Sequence, residues 1–208
     1  MDLTPEEVRV LGCLMEKQVT TPDQYPLSLN ALVSASNQTT NRDPIVRYTE
    51  RDVETALGSL RERGLTRIVY SPSNRVPKHR HIADDVLDLD SGAQAVLTVL
   101  LLRGAQTLGE IKGRTERMHA FDDLGEVERV IDALAARPDP LVVRLNRRPG
   151  QKEQRVMHLA GGPVSLDDVV DDHPTGPTGA TRLDRIAELE ARVAVLEETV
   201  ERFRALLD

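Results

Sequence analysis

Tryptophan is absent from this chain of 208 residues, and aromatic side chains make up only 2% of it. A core must therefore be built from Leu, Val, Ile and Ala, which suits packed helices better than a β-sandwich. The single cysteine, Cys13, excludes an internal disulfide, and its place beside Leu11 and Leu14 marks it as a buried, inert thiol. No apolar run reaches about 18 residues and no charged-then-apolar leader follows Met1, so the sequence points to a cytosolic protein with no membrane partner. Also missing are a Gly-rich phosphate loop, a nucleophile paired with a base and a metal-ligand quartet. His79 and His81 alternate along a strand, but no nearby Cys completes a set. No enzymatic activity, cofactor or metal is expected.

An excess of positive charge is lacking too. The net charge is −7, and it divides unevenly along the chain. Residues 1–85 hold 11 basic and 12 acidic side chains, residues 86–163 hold 11 and 11, and residues 164–208 hold 5 and 11. The first two segments are near neutral and project no strong phosphate-attracting field.

What the chain does have is one supersecondary unit written twice. Val53, Glu54, Leu57 and Leu60 lead through Gly64 and Leu65 to a β-rich run ending at Tyr70, then a polar break, then Arg80-His81-Ile82-Ala83. Val127, Glu128, Ile131 and Leu134 lead through Pro140 and Leu141 to Val142-Val143-Arg144-Leu145, a second break and Met157-His158-Leu159-Ala160. The offset drifts only from 74 residues at the valines to 77 at the histidines, as expected of two copies of one small domain.

Helix starts are legible in both copies. Thr4-Pro5-Glu6-Glu7 supplies a capping hydroxyl, a proline at the first helical position and a returning carboxylate, so a helix is expected over Pro5–Lys17. Ser28 caps a short helix through Val33, and Thr49 with Asp52 caps a third that ends at Gly64. Strands are expected at Leu65–Tyr70 and about Lys78–Ala83, joined by the turn-rich Ser71-Pro72-Ser73-Asn74. In the second copy Ser91 with Gln94, Thr107 with Glu110 and Asp123 with Glu126 read as caps, and the hairpin turns through Arg147-Arg148-Pro149-Gly150. Three helices and then a hairpin is the order of a winged helix. The expected fold is mainly α with small β-hairpins (α+β): winged-helix domains at residues 1–85 and 86–163.

An acidic, Pro- and Gly-rich linker follows at residues 164–181, and residues 182–208 form a coiled-coil helix in this reading. Ile186, Val193 and Val200 occupy one heptad position, Leu189 and Leu196 the other, and Phe203 continues the seam. β-Branched residues alternating with leucine favour a parallel two-stranded coil, with Arg185 facing Glu190 and Arg192 facing Glu197 across the pair. A homodimer is expected, the alternative being a helix packed back on its own domains.

Between the second and third helices of the first copy lie Asn37 to Tyr48, longer than a helix-turn-helix connection requires. Asn37, Gln38, Asn41, Arg42 and Arg47 can donate to phosphate or to a partner's carbonyls; the alternative is a loop packed on itself. The run Glu16 to Asn30, with Asn37-Gln38, Asn41-Arg42-Asp43-Pro44, Leu101 to Thr107 and Met157-His158-Leu159, resembles the signature of the bacterial YceH-like family. The resemblance implies tandem winged helices and no established activity. Ser36 and Thr39 depart from the Cys and Lys that the family pattern leads one to expect, and the missing lysine argues against phosphate binding by this loop.

Winged helices raise the question of DNA. The outward face of the first copy's third helix offers Arg51, Glu54, Thr55, Ser59 and Glu62; that of the second offers Glu126, Glu128, Arg129 and Asp132, an acidic face that opposes groove entry. The hairpins are more basic, with Arg75, Lys78 and Arg80 in one and Arg144, Arg147, Arg148, Lys152 and Arg155 in the other. Such wings hold phosphate without reading sequence, or simply protect an edge strand. The leading expectation is a dimeric DNA-associated regulatory factor that contacts phosphate through its basic wings; the alternative is a protein-interaction scaffold that uses the winged helices and the polar loop 37–48 without binding DNA.

Overall fold

The first helix, α1, spans Pro5–Thr20, and its start is fixed by reciprocal bonds. Glu7 N donates to Thr4 Oγ1 at 3.3 Å while Thr4 N donates to Glu7 Oε2 at 2.7 Å. In this computed structural model, which describes residues 1–70, 76–146 and 153–162, α1 outruns the expected Lys17 end. Val19 and Thr20 are weak helix formers, but the hydroxyls of Thr20 and Thr21 bond back to the carbonyls of Glu16 and Lys17, and Gln18 is held by tertiary partners. Pro22 then starts a short 3-10 turn.

Helices α2 (Leu29–Ser36) and α3 (Glu50–Glu62) are capped by Ser28 and Thr49 as expected. Val53, Ala56, Leu57 and Leu60 of α3 are buried, one face of a helix at 3.6-residue spacing. Strands β1 (Thr66–Val69) and β2 (Lys78–His81) pair antiparallel, with Thr66 opposite His81 and Ile68 opposite His79. The other side of β2 is joined by Leu27, whose N and O both bond His79. A short helix, α4 (Ala83–Val86), follows and was not expected.

The second copy repeats this order. It comprises α5 (Ser91–Arg103), β3 (Gln106–Thr107), α6 (Leu108–Thr115), α7 (Leu124–Ala135), β4 (Val142–Arg144) and β5 (Arg155–His158). The sheet order is β3-β5-β4, so β3 stands to β5 as Leu27 stands to β2. Backbone bonds correspond as well: Leu65 N to Leu60 O and Ile82 N to Leu65 O match Leu141 N to Leu134 O and Leu159 N to Leu141 O. One expected cap is corrected. Ser91 is the first helical residue, and the cap is Asp90, whose Oδ1 accepts from Ala93 N at 2.7 Å. A carboxylate one residue earlier reaches the free amide that Ser91, already helical, cannot. Among the described residues the architecture is thus mixed, with seven α-helices and two small antiparallel sheets.

The described residues fall within one compact unit. Helix α5 is buried from Ala95 to Leu102 on all sides, as befits a central helix. It crosses α1 at Gly12, where an added Cβ would lie 2.9 Å from Leu102 Cδ2 and 3.1 Å from Leu101 Cβ. The chain start closes on the other end of the unit, with Leu3 N donating to Ala160 O at 2.9 Å. The repeated histidines are both inside. His81 and His158 are 0% and 7% exposed, and burial depresses each imidazole to about 4. His81 Nε2 meets Gln18 Oε1 at 2.6 Å, and the same oxygen accepts from Gln94 of α5 at 2.9 Å. No helix among the described residues is long and apolar enough to cross a membrane.

Candidate functional site

The long polar loop turns its chemistry inward. Asn37 closes it: Nδ2 donates to Tyr48 O at 2.8 Å, and Oδ1 accepts from Tyr48 N at 2.7 Å. Arg42 is 5% exposed. Its guanidinium forks onto Glu16 at 3.0 and 2.6 Å, with further bonds to the carbonyls of Ala35 at 3.1 Å and Asn41 at 2.8 Å. Arg9 of α1, also buried, donates to Pro44 O at 2.6 Å. Two links then reach the second copy, from Asp43 N to Leu102 O at 2.8 Å and from Arg103 to the Asn41 side chain. The loop is an internal strut. Of its candidate ligand-binding residues, Arg47 alone is an exposed cation, while Gln38 is half-buried.

The charged faces sort differently in the two copies. In the first, Arg51 is exposed on α3 and Lys78 and Arg80 are half-buried on β2. In the second, Arg144 of β4 is drawn onto α7, with Nη2 at 2.7 Å from Asp132 and 3.5 Å from Glu128, and Arg155 is drawn to Glu110 at 3.3 Å. Arg75, Arg147, Arg148 and Lys152 lie outside the described residues, as do Ile186, Leu189, Val193, Leu196, Val200 and Phe203.

That ion pair has a counterpart position by position. At the offset of the third helices, Glu128 and Asp132 correspond to Glu54 and Gly58. In the paired strands Arg144, opposite Val156, corresponds to Ile68, opposite His79. Where the second copy bridges helix to strand with Asp132 and Arg144, the first has a glycine and an isoleucine, and among the described residues the space is open. A cleft of about 590 Å³ lies there, floored by Leu29, Leu57 and Ile68 and flanked by Val76 and Pro77. A Cβ on Gly58 would meet nothing within 4 Å. Glu54, Arg61 and His79 supply its polar margin. Burial, with Arg61 nearby, holds the His79 imidazole below its ordinary value against the pull of Glu54, so it is neutral near pH 7. The cleft therefore offers an apolar floor with one carboxylate and one guanidinium at its edge. Sequence reading by single motifs missed it; aligning the copies exposes it as the exchange of Asp132 and Arg144 for Gly58 and Ile68.

Among the described residues no group of three or more His, Cys, Asp or Glu is arranged to hold a metal, and His81, the stronger ligand candidate by burial, is committed to Gln18.

Comparison with known proteins places this geometry in a family. The model of a protein family of unknown function, DUF480, matches residues 3–151. A UPF0502 protein of Klebsiella pneumoniae is 46% identical over 213 residues, covering 99% of this chain and 94% of the relative. A UPF0502 protein of Geobacter sulfurreducens is 47% identical over 195 residues, with 94% and 87% covered, and the UPF0502 protein YceH of Salmonella paratyphi B is 45% identical over 211 residues, with 99% and 98% covered. The chain belongs to this uncharacterised UPF0502/YceH family, as the motif resemblance implied.

Proposed function

We propose that this chain is a non-enzymatic tandem winged-helix protein whose first copy docks an apolar segment of a partner protein in the cleft between α3 and the β1–β2 hairpin. The observation that carries the reading is the asymmetry of the repeat. One surface is bridged by Arg144 with Asp132 and Glu128; its counterpart is open among the described residues and lined by Leu29, Leu57 and Ile68. Burying one leucine-sized side chain there contributes about 1.5–3 kcal/mol, enough to anchor a segment but modest alone. The heptads from Ile186 to Phe203 would join two chains, and two clefts on one particle raise apparent affinity through effective concentration. Light scattering of the full chain against one ending near Pro174 tests that dimer: equal monomer masses would refute it.

The docking test exploits the repeat. In the double variant Gly58→Asp, Ile68→Arg, the new pair can bridge as Asp132 and Arg144 do, with Glu54 already in place. Phage-displayed peptides selected on the wild type are expected to carry an apolar anchor and to lose binding at least tenfold on this variant, while those selected on the variant lack the anchor. Peptides that bind both proteins equally would remove the cleft from the proposal.

A second reading, DNA association, rests on the exposure of Arg51 and the placing of Lys78 and Arg80 on the first hairpin. Titration of a fluorescent duplex at about 50 mM salt, where phosphate contacts are strongest, separates the two. Saturable, salt-sensitive binding that survives cleft closure would favour the wing.

A further inference from the structure

A separate recess lies on the far side of the polar loop, between α1, α5 and α6. It encloses about 250 Å³ and is lined by Arg103, Arg114 and Arg117 together with Glu16, Asn41 and Gly113. That volume is below the range typical of drug-sized ligands, which limits the occupant to a small molecule or one head group.

Glu16 on its wall and Glu110 nearby each already face two cations. Glu16 takes the Arg42 fork at 2.6 Å and Lys17 at 3.2 Å. Glu110, just behind, is shared by Arg114 at 3.4 Å and Arg155 at 3.3 Å. The Arg103 guanidinium donates to the neutral Asn41 side chain, and Arg117 is exposed. Glu116 on the margin and Asp43 near Arg103 offset part of this charge. Desolvation first, and then the nearby charges of Arg114 and Arg42, weakens proton binding by Arg103. Arg114 adds an unmet donor: its Nη1 is shielded from solvent and has no hydrogen-bond partner.

From these observations we infer that the recess binds a small oxyanion, a phosphate or the phosphate group of a small monoester, held by Arg103 and Arg117 with Arg114 behind. Guanidinium forks match tetrahedral oxyanions bidentately, and an anion between Arg103 and Arg114 relieves their repulsion. Arg103 stands at the C-terminal end of α5, where the helix carbonyls do not themselves attract an anion, so the arginines alone supply the binding. The site is distinct from the cleft beside α3 and does not depend on that reading.

The test is a titration of full-length, ¹⁵N-labelled protein with inorganic phosphate at constant ionic strength, with chloride as the reference. Saturable shifts are expected at the amides of Gly113 and Met118, with the same midpoint in Arg129→Gln, an exposed α7 arginine outside the recess. The midpoint should rise at least tenfold in Arg117→Gln and in Arg103→Gln. Arg117 is exposed, so its variant keeps the fold, which the unchanged remainder of the spectrum verifies. A parallel titration with glycerol phosphate separates the sources: tighter binding identifies a monoester, equal binding the free anion. Shifts that fail to saturate, that centre elsewhere, or that keep their midpoint in Arg117→Gln would overturn the assignment.

Discussion

Arg42→Ala tests whether the polar loop is a strut or a ligand-binding surface. The Arg42 side chain is 0% exposed and that of Glu16 13%. Removing one partner of a buried ion pair costs about 3–5 kcal/mol because the other charge is stranded. Lys17, 3.2 Å from Glu16, keeps part of that charge compensated and pulls the cost toward the lower bound. The carbonyls of Ala35 and Asn41 lose a donor each, which pulls it back up. A loss of about 3–4 kcal/mol results. In urea, with a slope of about 2 kcal/mol per M, the midpoint should fall by roughly 1.5–2 M, read by circular dichroism on the full chain. Arg42→Lys keeps the charge without the fork and should lose about half as much. The pH dependence adds a sign. Burial alone would raise the Glu16 carboxyl, but Arg42 and Lys17 outweigh it and hold it below its ordinary value. Its stabilising contribution is therefore present above the unfolded carboxyl range, near pH 4.3, and lost as pH falls further. The gap between wild type and Arg42→Ala should narrow on acidification. A loss under about 1 kcal/mol at pH 7, or Arg42→Lys equal to wild type, would refute the reasoning.

Three further expectations follow from the packing. Gly12→Val forces methyls into Leu102 and Leu101 at the α1–α5 crossing and should cost about 2–3 kcal/mol, a fall of roughly 5–10 °C in Tm, whereas Gly58→Ala, with open space around it, should be neutral or stabilising by up to about 1 kcal/mol. His81 and His158 are depressed by burial to about 4, so between there and the unfolded value near 6.5 the unfolded chain binds more protons; stability should fall with falling pH across that window, by up to about 1.4 kcal/mol per pH unit for each, and His158→Leu should flatten the slope. Asn37→Ala removes both bonds to Tyr48, and exchange of the Tyr48 amide should quicken at least about tenfold, with little change in global unfolding.

Helix starts were the most legible feature because a cap is local: Thr4, Ser28, Thr49, Thr107 and Asp123 each act within three residues of themselves. The repeat was legible because it lies in apolar spacing. Asp90 was overlooked because the neighbouring Ser91 is an equally good capping residue, and only backbone angles decide between them. Strand β3 escaped notice because two residues carry no alternation, and they become a strand only through pairing with Val156 and Arg155. The direction of the loop was illegible for a deeper reason. Asn, Arg and Asp are equally suited to an external ligand and to internal carbonyls, and the choice rests on Glu16, Ala35 and Leu102, which lie far from the loop in sequence or give no sign in it of pairing there.

The two halves use their polar residues for different ends, and that division locates the open surface. His81 and His158 hold equivalent, buried places, yet His81 connects through Gln18 to Gln94 of α5, whereas the hydrogen bond of the His158 ring is to Ala160 N, two residues along its own chain. The loop repeats the pattern, spending Asn41 and Asp43 on Arg103 and Leu102. The first copy therefore supplies the polar fastening between copies, and its inward-facing loop is consumed in doing so. The second copy contributes Gln94 and Arg103 to that fastening and holds Arg144 over its own α7. Among the described residues, what neither fastening covers is the gap left by Gly58 and Ile68. An apolar opening is costly to leave wet, and nothing in the fastening of the copies requires it, since the second copy bridges the same place with Asp132 and Arg144. On the proposed reading the cleft, and not the polar loop, whose groups are bonded within the chain, is where partner binding should be sought.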